Sequence, residues 1–380
     1  MKRPLRVCLF ALLGVPGLLR MSHAQPAAGE LPAVAPRPIS CASRALKQDC
    51  RGEDFDYFVS GNPAAPRPAR TRFGIVLMGG GGSVDAAYRA LAEHAALGHI
   101  VVLGATADHS FDPDDGELGP LFLGPWGPTL SCQTFIFHSR AAAFDARVIA
   151  ALRHADGVFL EGGDQSNYVR YWKGTPVQAA LNNLANRGAP IGGNSAGLAI
   201  LGHFSYTAMD GGSLESKVAL ADPLGPAVTL EDDFLHLPGL ENVITDTHFS
   251  TRSRLGRLIV FIARLDRGPP ARQVYGIGVD QQTAVLIEAD GTGHIIVGSK
   301  GSAWIVNLDG AKVVLTPVQP FSAVSVRIDQ MAPYSVLRMR NGLVERPASV
   351  NRVGIDAGAA VAEEPLRSMM MRDRAPPGED

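Results

Sequence analysis

From residue 73 to residue 191 the chain repeats one alternation: a short run of apolar residues, then a longer amphipathic segment. The runs are FGIVLM (73–78), HIVVLGA (99–105), CQTFIF from Cys132, GVFLEGG (157–163) and the very short API (189–191). Between them, Val84–Leu97, Ala141–Arg153 and Pro176–Asn186 read as helices, and Ala196–His203 as one more after the last run. A strand that is apolar at every position has no face left for water. The pattern therefore calls for an α/β fold with a mostly parallel sheet and helices on both faces.

Later stretches have a different texture. His109–Pro128 is rich in Gly, Pro and Asp and reads as loop, and Phe204–Glu241 as a long insert of weak periodicity. VITDTHF (243–249) returns as a strand, followed by an apolar helix over Thr251–Asp266. From Val274 on, VYGIGVD, TAVLIEA, HIIVG and SAWIVNL alternate at short spacing, with Asp290-Gly291 at a turn. They predict a C-terminal antiparallel β extension packed on the sheet edge.

The first 24 residues stand apart. Lys2, Arg3 and Arg6 precede an apolar run, Val7–Leu19, and Ser22-His23-Ala24 has the small-x-Ala form of a cleavage site. The run is shorter than the roughly 20 residues of a spanning helix, so the segment reads as a signal peptide cut after Ala24. The expected location is secreted or periplasmic, with no membrane association after cleavage. Residues 25–70 carry the Pro-rich pieces QPAAGELPAVAPRP and NPAAPRP and read as an irregular lead-in. The main domain is expected over 71–330, and the Ala-, Pro- and charge-rich stretch 355–380 as a disordered tail. Export makes Cys41 and Cys50 a natural disulfide pair, whereas Cys132 reads as a buried, inert thiol.

Composition excludes several classes. With 46% hydrophobic and 19% charged residues the chain is neither wholly disordered nor fibrous. Thirty-five Lys+Arg against 37 Asp+Glu leave no basic surplus for a nucleic-acid backbone. Neither CxxC nor HExxH occurs, so no metal is expected, and no organic cofactor either.

The sharpest chemical signal is Gly192-Gly193-Asn194-Ser195-Ala196-Gly197, after a strand and before a helix. A serine on such a tight turn is held up from the carboxyl edge of the sheet, with a helix N-terminus behind it. A nucleophilic serine needs a base and donors for an oxyanion. Met78-Gly79-Gly80-Gly81-Gly82-Ser83 ends the first strand at the same edge, so the amides of Gly80, Gly81 and Gly82 together with Ala196 are the expected oxyanion hole. No Gly-Lys-Ser/Thr follows, and Asp85 stands where a dinucleotide fingerprint needs its third glycine. His248, at a strand end 53 residues after Ser195, is the candidate base. Arg252, Arg254 and Arg257 then crowd a helix start, where positive charge is unfavourable unless an acidic partner or ligand is near. Guanidinium forks suit substrate carboxylates. Asp164 and Gln165, after the GVFLEGG strand, either line the crevice or cap the next helix.

Taken in order, MGGGGS, GVFLEGGDQ, PIGGNSAGLAILG, DTHFSTRSRLGRL and GIGVDQQTA resemble the cyanophycinases, serine peptidases related to dipeptidase E. The resemblance runs from about Phe73 to Ile305. It implies a flavodoxin-like, class I glutamine-amidotransferase-like fold, Ser195 as nucleophile, His248 as base, and a pocket from Gln165, Asp246, Arg252, Arg254 and Arg257. It further implies hydrolysis of cyanophycin, or of related β-aspartyl peptides, to β-Asp-Arg dipeptides. The relatives' acidic triad member lies between Ser and His, which points here to Glu215 over Asp210. Two positions depart from the family: Thr247 replaces a usual Gln, and Gln281 a usual Glu. The rival readings are a serine esterase of another class and a catalytically silent exported peptide-binding protein. The expected partner is a peptide or polyamide substrate, with a homodimer allowed for.

Overall fold

A computed structural model describes residues 40–44, 47–68, 70–106, 118–267 and 273–371. Residues 1–24, expected from sequence to be a signal peptide, the start of the lead-in and residues 372–380 lie outside the described residues.

Five parallel strands form the centre: β4 (Gly74–Met78), β5 (His99–Ala105), β6 (Ser131–Phe137), β7 (Gly157–Leu160) and β8 (Ile191–Asn194), in the spatial order β6-β5-β7-β8-β4. Counted among themselves they run 3-2-4-5-1. The flavodoxin order is 2-1-3-4-5; here β5 to β8 reproduce its 2-1-3-4 part, and β4, the first of the five in the chain, takes the place of its fifth strand. The apolar runs explain the layering. In β4, Ile75 and Leu77 enter one core with helices α3 (Ala146–His154), α4 (Gln165–Trp172) and α5 (Pro176–Asn186). Val76 and Met78 point the other way, into a core with α1 (Asp85–His94) and α2 (Leu118–Leu123). Successive side chains alternate between faces, and both faces are covered.

The lead-in is not irregular throughout. Over 40–61 it forms a meander of β1 (Ser40–Arg44), β2 (Lys47–Arg51) and β3 (Phe55–Gly61), which joins the sheet antiparallel at β6. Cys41 and Cys50 are register partners across β1 and β2 and are joined by a disulfide. Pro-rich flanks hid two polar strands whose pairing is completed by tertiary contact. Similarly, α2 occupies part of the expected loop 109–128, burying Phe122 against the sheet. Cys132 is buried as expected, and burial pushes its thiol well above the usual range.

The antiparallel extension divides in two. Strands β13 (Ala284–Glu288), β14 (Thr292–Ile295), β18 (Val336–Arg338) and β19 (Leu343–Glu345) continue the central sheet from β4. A second sheet runs β11 (Val243–Asp246), β12 (Tyr275–Val279), β15 (Ala303–Asn307), β17 (Ser322–Gln330), β20 (Ser349–Asp356) and β21 (Ala359–Val361). Helices α7 (Ser216–Ala221), α8 (Leu255–Leu265) and α9 (Leu366–Met371) share one apolar core with this sheet. The ordered chain thus passes residue 330. The expected tail is strand and helix to residue 371, with Leu366, Met369 and Met370 buried. An Ala- and Met-rich segment is equally able to pack as to stay loose, and here a core stands ready to receive it.

Candidate active site

Ser195 follows β8 directly, at φ +50° and ψ −116°. Positive φ is costly for a residue with a Cβ and persists only where the surroundings enforce it. Glycines on either side do the enforcing. A Cβ on Gly193 would come within 2.5 Å of the Gly197 backbone, and one on Gly197 within 2.2 Å of Leu160 O. The turn closes tightly because both side chains are absent. Helix α6 (Ala196–Ala199) then starts behind the serine, shorter than the expected 196–203.

His248 reaches Ser195 from the second sheet, just beyond β11. Its Nε2 lies 2.8 Å from Ser195 Oγ. The backbone N–H of His248 donates to Gly79 O at 2.8 Å, which docks the base on the glycine loop after β4. Gly80, at φ +87°, sits flat against the imidazole, where a Cβ would be 2.4 Å from Nε2. Gly81 lies against Gln281 in the same way, at 2.5 Å from its side-chain carbon. The loop assigned from sequence to the oxyanion is therefore packed around the base and its neighbour.

The group on the far side of the imidazole is Gln281, whose side-chain nitrogen is 2.9 Å from His248 Nδ1. Glu215 is exposed as the N-cap of α7, and Asp210 is exposed in the preceding loop. Neither occupies the third position; the insert turns both outward while β12 delivers Gln281. Neighbouring Asp280 fixes that delivery, since its carboxylate accepts N–H donors from Ser250, Ser302 and the Trp304 indole at 2.9–3.1 Å.

Beside Ser195 lies a cavity of about 160 Å³ lined by residues including Gly163, Gln165, Ala196, Thr247, Arg252 and Arg254. Asp164 caps α4 by accepting from the Ser166 N–H at 2.8 Å and also lines this space, so both readings of the pair hold. Tyr168 holds the loop above it, donating its hydroxyl to Glu161 O at 2.8 Å. Gly163 and Ala196 thus share a cavity with Ser195.

The arginines divide by role. Arg257 is 1% exposed: it donates through Nε to Asp246 Oδ2 at 2.8 Å and through Nη2 to Asp246 Oδ1, and its Nη1 bonds Ser213 Oγ and Leu214 O. Its guanidinium also lies over the Tyr206 ring at 5.1 Å. Asp246, 2% exposed, gives its remaining capacity to the Thr247 N–H. Asp246 and Arg257 are therefore a buried ion pair beneath the cavity rather than part of its lining. Arg254 is held by Thr247 O and Ser213 Oγ at 3.0 and 2.9 Å, with its guanidinium at the cavity wall. Burial, with Arg257 and Arg252 close by, holds Arg254 well below the usual guanidinium value. His248 is pulled down to about 3, first by burial and then by Arg252, Arg254 and Arg257. It is a neutral imidazole at ordinary pH. Sequence reasoning missed Ser213, which bridges two arginines, and the role of Gln281, although its place just past a strand end is a usable signal.

Residues 129–225 match the model of peptidase family S51. The match spans β6 to α7 and includes Ser195. Cyanophycinase of Trichormus variabilis is 35% identical over 163 residues, 43% of this chain and 48% of that protein. Cyanophycinase of Synechococcus elongatus is 35% identical over 170 residues, 44% of this chain and 47% of its own length. The chain thus spans about half the length of the curated relatives it matches. Among solved structures, a peptidase from an acI-B1 Actinobacterium aligns at TM-score 0.46 and 15% identity, covering 70% of this chain and 96% of that one.

Proposed function

We propose that this chain is an exported serine peptidase of cyanophycinase type, hydrolysing cyanophycin or related β-aspartyl peptides to β-Asp-Arg dipeptides. The observation that carries this reading is the 2.8 Å contact of Ser195 Oγ with His248 Nε2, on a strained turn beside a guanidinium-walled cavity. The S51 match over the nucleophile segment and the similarity to cyanophycinases support the substrate class. The Cys41–Cys50 disulfide is in keeping with an oxidising compartment, and the class I glutamine-amidotransferase-like assignment is in keeping with the parallel centre.

In this mechanism Oγ attacks the amide carbonyl while its proton passes to Nε2. The new oxyanion is met by the Ala196 N–H, at the start of α6, and by the Gly163 N–H across the cavity. Collapse breaks the C–N bond, and the Nε2 proton goes to the leaving amine. Water then gives a proton to Nε2 and attacks the acyl carbon; Oγ leaves and takes that proton back. Arg252 and Arg254 hold aspartyl carboxylates and Gln165 faces them, so the steps need only these residues, a peptide and water.

Ser195→Ala tests the reading. Incubated with cyanophycin, wild type yields β-Asp-Arg identified by mass, and the variant folds normally but loses activity by about a thousandfold or more. Turnover retained above that level removes Ser195 as nucleophile.

A further inference from the structure

The base, like Ser195, sits on strained backbone. His248 has φ +43°, and Gln282, just past Gln281, has φ +51°. Left-handed φ is uncommon for a residue with a Cβ and persists only where other contacts enforce it. Ser195 has glycines close on either side to permit its turn. His248 is flanked by Thr247 and Phe249, so its conformation has to be enforced from elsewhere in the fold.

Three successive N–H groups reach across to other elements. That of His248 donates to Gly79 O at 2.8 Å, that of Phe249 to Val279 O at 3.2 Å, and that of Ser250 to Asp280 Oδ1 at 2.9 Å. The first two acceptors are backbone carbonyls, which any side chain leaves in place. The third depends on one carboxylate. Asp280 is 8% exposed and forms no ion pair among the described residues. Its other oxygen, Oδ2, accepts from the Ser302 N–H at 3.0 Å and from the Trp304 indole N–H at 3.1 Å. One oxygen thus holds the turn of the base and the other holds β15, while the next residue, Gln281, puts its side-chain nitrogen 2.9 Å from His248 Nδ1. Imidazole and neighbour are fixed through a single side chain. Hydrogen bonds to an ionised acceptor are about twice as strong as neutral ones, which suits a strained turn.

We propose that Asp280 is a positioning residue: its carboxylate holds the strained turn that aims His248 Nε2 at Ser195 Oγ, together with the strand end that brings Gln281 to Nδ1. This rests on the hydrolase reading above and deepens it. Asp280 does not line the cavity beside Ser195. Its loss therefore acts on turnover, through the base, and leaves substrate binding in place.

Asp280→Asn keeps the shape but turns one acceptor into an NH2 group that opposes an N–H donor. With the full chain and aspartic acid β-p-nitroanilide as substrate, kcat is expected to fall about 30-fold or more with KM within about threefold, since misplacement by about 1 Å costs about 100-fold. Labelling by a fluorophosphonate probe, which needs the Ser195–His248 contact, should slow by a similar factor. Tyr275→Phe is the stability control: it lies on β12 and removes a buried hydrogen bond to Met339 O. It should lower Tm while kcat stays within about twofold of wild type. A kcat loss in Asp280→Asn no larger than in Tyr275→Phe overturns the proposal, and so does a loss carried by KM. Should Asp280→Asn fail to fold, Trp304→Phe decides: it keeps a ring but removes one donor to Oδ2, and kcat should fall about threefold or more at unchanged KM. Unchanged kcat there overturns the proposal. The probe separates the two failures. If it labels wild type but not Ser195→Ala, and labels Asp280→Asn at the wild-type rate, only this inference falls; if wild type is not labelled, the hydrolase reading falls with it.

Discussion

Asp246 offers the clearest quantitative test, because sequence places it in the substrate pocket and the structure places it in an ion pair. Consider Asp246→Asn. The change keeps the volume and a carbonyl for the Thr247 N–H but removes the charge facing Arg257, which is 1% exposed, and Arg254, which is 7% exposed. At the 2.8 Å of the Nε–Oδ2 contact the gross attraction is about 6 kcal/mol for an effective dielectric of about 20, most of it offset by the desolvation of both ions. Removing one partner does not recover the desolvation of the other, so the expected loss is about 3–5 kcal/mol of folding stability. For a domain of this size each kcal/mol moves Tm by about 2 °C, giving a drop of roughly 6–10 °C. Urea titration followed by tryptophan fluorescence, alongside calorimetry, measures it. The double variant Asp246→Leu with Arg257→Met should recover a substantial part, since buried pairs are often replaceable by apolar side chains. The reasoning is refuted if Asp246→Asn costs less than about 1 kcal/mol while raising KM tenfold or more, the signature of a substrate contact.

Two further perturbations probe the base. Gly80→Ala places a Cβ 2.4 Å from His248 Nε2 at φ +87°, so turnover should fall about 100-fold or more with the fold retained by circular dichroism; near-normal kcat would mean that the loop does not seat the imidazole. His248 has an ordinary value of 6.5 and a folded value of about 3. The unfolded chain therefore takes up this proton first, and the stability present above pH 6.5 is lost as pH falls toward 3. The expected contribution approaches about 1.4 kcal/mol per pH unit between roughly pH 6 and 4. His248→Gln should remove that slope from urea-unfolding free energies, and an unchanged slope would refute the assignment.

How much of this was legible in the sequence depends on how local each cause is. Four of the five central strands read directly from continuous apolar runs, because burial on both faces leaves its mark on every residue; β8, expected over 189–191, instead runs Ile191–Asn194, where Gly-Gly-Asn carries no apolar mark. β5 matches its apolar run over 99–105, and α5 its predicted span over 176–186. Ser195 was legible because its turn is a local device of small residues. The pairing of β1, β2 and β3 was not, since strands at a sheet edge carry polar residues and depend on β6 for their partner. Ala141–Arg153 is likewise broken at Asp145, which ends a 3-10 turn and caps α3 by accepting from the Arg147 N–H. The third group on His248 escaped because chain order says nothing of which strand end faces Nδ1. Arg257 shows the same limit in another form. Three guanidiniums in six residues look alike in sequence, and only burial separates the one that serves the fold from those that line the cavity.

The placement of the three groups gives the site its mechanical character. Ser195 ends a strand of the central sheet, His248 follows a strand of the second sheet, and Gln281 lies where the chain crosses back from β12 to β13, which pairs with β4. The Ser195–His248–Gln281 contacts therefore form at the seam of the two sheets. Two backbone contacts hold that seam: His248 N–H to Gly79 O, and Gln282 N–H to Gly80 O, each at 2.8 Å. Both anchor on the glycine loop after β4, and both sheets approach it closely because Gly80 and Gly81 have no side chains. The loop thus acts as the template that sets the distance between nucleophile and base. A glycine run expected from sequence to hold an oxyanion is, in the folded molecule, also what allows Ser195 and His248 to meet.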